Sequence, residues 1–114
     1  MTIVYKILPQ KDWHAACQKG IYSGSKDDQR DGFIHLSSDE QVEETAKRFF
    51  KNQKGLLLVA FDAETLGSKL CFEPSRNSEL FPHYYSDLPT HLALWEKEML
   101  LGDDLIPRVT KEET

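Results

Sequence analysis

The chain of 114 residues is short of cysteine, of basic charge and of long apolar runs, and each shortage excludes something. Its two cysteines, Cys17 and Cys71, lie far apart and match neither a zinc knuckle nor a Cys-x-x-Cys redox pair. They read as buried free thiols, which makes a reducing, cytoplasmic setting the expectation. No stretch approaches the roughly 20 apolar residues of a membrane-spanning helix, and no basic segment precedes an apolar one at the start, so no membrane role is expected. Lys and Arg number 14 against 19 Asp and Glu, for a net charge of −5. Bulk charge of that sign gives no grip on nucleic acid. There is no Gly-rich phosphate loop, no HExxH and no GxSxG elbow. The four histidines, His14, His35, His83 and His91, show no ligand spacing at i+2, i+3 or i+4, so no metal site is expected.

What is present is an ordinary globular composition, 39% apolar and 29% charged, in one domain's length. The pattern predicts an α+β chain: a single compact domain over residues 1–110, with a small mixed or antiparallel sheet and two main helices. Residues 111–114 read as a solvated tail. "TIVYKIL" reads as a strand over 2–8, ended by Pro9. "QKDWHAACQKG" puts Trp13, Ala16 and Cys17 on one helical face and stops at Gly20. Residues 21 to 29 read as a polar loop. "GLLLVAF" is a continuous apolar run, the mark of a central strand covered on both faces. "KLCFE" is a strand closed by Pro74, the stretch 74 to 89 reads as a long ordered loop, "HLALW" as a strand and "DLIPRV" as an edge strand.

"DGFIHLSS", residues 31 to 38, is the unusual stretch. Alternation puts Phe33, His35 and Ser37 on one side of a strand and Ile34 and Leu36 on the other. The Ile34/Leu36 side packs under the helix that follows, in which Val42, Ala46, Phe49 and Phe50 form an apolar face expected to be buried. Ser37-x-x-Glu40 and Ser38-x-x-Gln41 both match a capping box, so one of the two serines caps that helix. The other side offers an aromatic floor and two hydrogen-bonding groups. His35 is either a core histidine bonded to backbone or part of a cleft wall. Glu73 and Arg76 are either a surface ion pair or an anion-binding guanidinium beside a carboxylate that handles a ribose or a proton. In "FPHYY", His83 and Tyr85 either plug the sheet end or hold a planar ligand.

The blocks "VYKI", "DGFIHLSSDEQVEETAKRFF", "LLLVAFD" and "FEPSRNSELFPHYYSDLP" cover nearly the whole chain. In this order they resemble a bacterial family known as a domain of unknown function. Its pattern is an opening (I/V)Y(H/K)I strand, GFIHLS with a helix starting QV, and WE-x-SRGG-x-LFPH-x-YG-P-L. That family is grouped with the ADP-ribosyltransferase-like superfamily, so the resemblance implies that fold. It further implies a small-molecule ligand, NAD or an ADP-ribose-like group, and a transferase or hydrolase acting on it. A binding module without turnover is the alternative, and the oligomeric state is left open.

Carried over residue by residue, the resemblance selects His35 and Glu73 as catalytic, with Glu79 a second possibility for the acid. It selects Lys6, Ser37, Ser75, Arg76, His83 and Tyr85 as ligand-binding, with Lys6 and Arg76 facing a diphosphate. Lys6 stands where some superfamily members, including the tRNA 2′-phosphotransferases, have a histidine. This chain departs from the pattern at Phe72 for Trp, at Asn77 and Ser78 for a Gly pair, and at Ser86 for Gly. Fewer glycines remove easy positive-φ positions, so the loop closes differently here.

Overall fold

The computed structural model describes residues 1–109; residues 110–114, the expected tail 111–114 among them, and the Arg76 side chain lie outside the described residues. The elements run β1 (Ile3–Pro9), α1 (Gln10–Lys19), β2 (Ile21–Tyr22), α2 (Lys26–Asp31), β3 (Ile34–His35), β4 (Ser37–Ser38) and α3 (Val42–Phe49). They continue with β5 (Leu56–Asp62), α4 (Ala63–Leu66), β6 (Leu70–Pro74), β7 (Leu80–Tyr84), β8 (Leu88–Pro89), β9 (Ala93–Leu101) and β10 (Pro107–Val109). The chain is α+β, and every strand pair among the described residues is antiparallel. Among the described residues, no helix is long and apolar enough to cross a membrane.

The five-stranded sheet has the order β10-β9-β5-β1-β4, beside a three-stranded sheet β3-β7-β6 and a ribbon β2-β8. The apolar run at β5 is central, as its composition requires. Leu57, Val59 and Phe61 pack on one face with Trp13 of α1, Val4 and Leu8; Leu56 and Leu58 pack on the other with Ile7, Ala46 and Met99. The opening strand and the edge strand β10 lie where their sequences put them. "DGFIHLSS" does more than form one strand. It pairs with β7 through Ile34 and His35, then crosses at Leu36 to pair with β1 through Ser37 and Ser38. Ser38, not Ser37, makes the capping box, with Gln41.

Several expectations are corrected. The 21–29 stretch holds β2 and the start of α2, because Ser25 and Asp28 form a reciprocal capping box, a serine followed three residues later by an acid. The 74–89 segment is not one loop: Leu80–Tyr84 form β7, a hairpin arm folded back on β6, and Leu88–Pro89 form β8. "HLALWEKEML" is strand almost throughout, since β9 pairs with β5 from Ala93 to Met99. The thiols are free but not buried: Cys17 is exposed and Cys71 half-buried. Trp13 and Ala16 alone fill the seam under α1, and Cys17 falls outside it.

Phe49 is the largest departure. Ala46 is fully buried and Val42 and Phe50 partly so, but Phe49 is 61% exposed. α3 packs by a narrow stripe centred on Ala46 with Val42 and Phe50, and the position three residues on falls outside it. The energetic weight therefore sits on β5. Phe61→Ala should cost about 3 to 5 kcal/mol as a core truncation, whereas Phe49→Ala should cost under about 1 kcal/mol. Urea denaturation of the two variants beside the wild type measures the difference.

Candidate functional site

The strand register explains how distant histidines meet. β3 pairs with β7 so that His35 stands directly opposite His83. Directly opposed residues point to the same face, and their ring centroids are 5.6 Å apart. Phe33 touches both rings, stacked on His83 at 4.0 Å and edge-on to His35 at 4.6 Å. It also meets the Tyr85 ring at 5.3 Å.

A buried ion pair fixes the backbone at His35. The Lys6 ammonium, on β1, donates to Asp28 Oδ2 at 2.8 Å and to the His35 carbonyl at 3.0 Å. The His35 amide donates to Asp28 Oδ1 at 3.0 Å, and the Ser25 amide to Oδ2 at 2.9 Å. Both backbone groups of His35 are thus held by one lysine–aspartate pair. Burial pulls the Lys6 ammonium below the usual lysine range, and the facing Asp28 carboxylate opposes that shift. Gly24 makes the close approach possible: its φ is +104°, and a Cβ there would lie 2.7 Å from Asp28 Cβ.

Each imidazole is bonded to a carboxylate. His83 Nδ1 is 2.8 Å from Glu73 Oε1, and His35 Nε2 is 2.7 Å from Asp31 Oδ2. The Tyr85 hydroxyl donates to the same Glu73 oxygen at 2.6 Å. That hydroxyl and the His83 ring hold the Glu73 carboxyl below the usual range, while Tyr85 itself is pushed up to about 12 by the carboxylate it serves. The Arg30 guanidinium, and after it the His35 ring, bring the Asp31 carboxyl down to about 2.

His35, His83, Lys6, Ser37 and Ser75 line one cavity of about 260 Å³. Ser37 is buried, with its hydroxyl 3.0 Å from Thr45 Oγ1. Glu73 and Tyr85 do not line this cavity; they stand behind His83. Arg76 opens a 3₁₀ turn, Arg76–Ser78, next in the chain to Ser75. Asn77 and Ser78 there take φ of 55° and 61°, so the turn where the family pattern has a glycine pair is made in the left-handed region without glycine. Sequence reasoning missed Asp28, Asp31, Thr45 and the cavity position of Phe49. The Ser25-x-x-Asp28 capping signal locates Asp28 at a helix start, but nothing local announces its long-range partner Lys6.

Residues 7–95 match the model of a family described as a protein of unknown function, DUF952. The chain is similar to the protein CC0527 from Caulobacter crescentus. Its X-ray structure shows 43% identity and a TM-score of 0.92, with 94% of each chain covered. Its solution NMR structure shows 44% identity and a TM-score of 0.86, over 95% of this chain and 93% of that one. No curated protein matches the chain.

Removing one partner of the buried pair leaves the other charge uncompensated, so Asp28→Ala should cost about 3 to 5 kcal/mol in urea denaturation. Asp31 gives a pH signature. Its carboxyl titrates at about 2 in the fold against 3.8 ordinarily, so its contribution is full above the ordinary value and is lost as pH falls through 3.8 towards about 2. Denaturation midpoints between pH 5 and 2 should fall more steeply for the wild type than for Asp31→Asn.

Proposed function

Because the chain belongs to the DUF952 family, of unknown function, we propose a function from its own cavity: it binds a small nucleotide-type ligand there and handles protons on it with a histidine pair. The carrying observation is that two imidazoles, each bonded to a carboxylate, line one cavity. A carboxylate that accepts from His83 Nδ1–H leaves Nε2 as the basic atom, the arrangement of a general base. Asp31 on His35 Nε2 leaves Nδ1 for the mirror role. In this reading His35 and His83 move protons, and Glu73 positions His83 rather than touching the ligand. Ser37 and Ser75 supply hydroxyls suited to a ribose, and Arg76, next to Ser75 in the chain, is the candidate for a phosphate. The ADP-ribosyltransferase-like grouping makes an ADP-ribose- or NAD-like nucleotide the ligand class and transfer or hydrolysis at the ribose the reaction class.

A second reading, binding without turnover, is favoured by one observation. Every carboxylate that lines the cavity is already engaged, Asp28 by Lys6, Asp27 and Asp31 by Arg30, and Asp31 also by His35. None is left to activate an attacking hydroxyl, and neither cysteine lines the cavity.

Isothermal titration of ADP-ribose and NAD, with chromatography for released nicotinamide, tests both readings. We expect binding that His83→Ala weakens about tenfold, the loss of one hydrogen bond to a charged group. Nicotinamide release supports the enzyme, and binding without release supports the module. No binding of either compound at millimolar concentration overturns the nucleotide reading.

A further inference from the structure

We infer that Tyr85 is a positioning residue for His83, acting through Glu73: its hydroxyl pins the carboxylate so that His83 keeps its proton on Nδ1 and its Nε2 stays the basic atom. This rests on the reading that His83 handles protons on a ligand in the cavity. Tyr85 does not line that cavity itself, so a ligand contact is not what it supplies there. Three observations carry the inference.

First, the strand register places the parts. Across β6 and β7, Cys71 stands opposite His83 and Glu73 opposite Phe81, which makes Glu73 the diagonal neighbour of His83 on one face. Diagonal neighbours lie roughly 7 to 8 Å apart, a spacing that long side chains span. Second, the Glu73 side chain is 39% exposed. A carboxylate that open, held by one bond, is free to trade it for water. Here one oxygen, Oε1, receives two donors, the Tyr85 hydroxyl at 2.6 Å and His83 Nδ1 at 2.8 Å. The hydroxyl, ahead of the His83 ring, is the main cause that holds the Glu73 carboxyl below its usual range.

Third, the phenol is itself fixed. The Tyr85 amide donates to the Lys69 carbonyl at 2.9 Å, just before β6 begins. The Tyr85 ring meets Phe33 at 5.3 Å, and Phe33 stacks on His83 at 4.0 Å. Tyr85 thus reaches His83 twice, by hydrogen bonds through Glu73 and by packing through Phe33. The two routes are separable: Tyr85→Phe removes the hydroxyl and keeps the ring.

Long-range ¹H–¹⁵N NMR of the His83 ring at neutral pH tests the hydrogen-bonded route with no ligand present. The wild type should carry the proton on Nδ1, and Tyr85→Phe should move part of that population to Nε2. Ser86→Ala, the adjacent position, should leave it where it is. Isothermal titration of ADP-ribose is the second readout. Tyr85→Phe should weaken binding about threefold, the scale of one modest hydrogen bond, although the residue lies outside the cavity.

An Nδ1 proton held as fully in Tyr85→Phe as in the wild type overturns the inference, whatever the titration shows. A proton already on Nε2 in the wild type overturns it together with the general-base reading. If the proton moves in Tyr85→Phe but the wild type binds neither ADP-ribose nor NAD, the positioning role stands and the nucleotide reading fails. If the proton moves and ADP-ribose binds both proteins equally, the role of Tyr85 stands and the contact between His83 and the ligand is refuted.

Discussion

The buried pair between Lys6 and Asp28 is the constraint on which the rest of the site depends. Withdrawing two opposite charges from water is costly, and their mutual attraction repays it only when their remaining hydrogen-bonding capacity is used. Here it is. Asp28 receives the Lys6 ammonium and the amides of Ser25 and His35, and Lys6 also reaches the His35 carbonyl. Three elements distant in sequence, β1, α2 and β3, are locked at one point. An apolar pair would fill the same volume, but it would leave the amides of Ser25 and His35 without an acceptor. The pair therefore secures the position of one histidine more than it secures the fold.

The second histidine is placed by pairing rather than by charge. Opposing His35 and His83 across β3 and β7 puts both rings on one face, and Phe33 packs against both. The crossing at Leu36 then carries the strand from the smaller sheet to the larger one, and Leu36 and Ser37 at the crossing line the cavity. A domain of this size has little apolar volume to spare. Its continuous core runs along β5, and the polar side chains gather around the cavity instead. Phe49 of α3 lines the same cavity.

Much of this was legible in the sequence. The apolar run at β5, the alternation in "DGFIHLSS" and the family motifs gave the α+β class, the central strand and five residues that do line one cavity. The rest is of two kinds. Some signals are local, such as the Ser25-x-x-Asp28 box that starts α2. Others were not local at all. That Lys6 would be consumed by Asp28, or that Glu73 would stand behind His83, depends on strand register, which no short window contains. Phe49 misled for a third reason: helical periodicity tells which face a residue shares, not whether the neighbouring element extends far enough to cover it.

The account stands most directly on the bond from His83 to Glu73, because that bond decides which ring nitrogen is left for chemistry. Long-range ¹H–¹⁵N NMR of the histidine rings reads it without any ligand. A proton on His83 Nδ1 throughout the neutral range, lost or exchanging rapidly in Glu73→Ala, is the predicted result. A bare Nδ1 with the proton on Nε2, unchanged in Glu73→Ala, would contradict it.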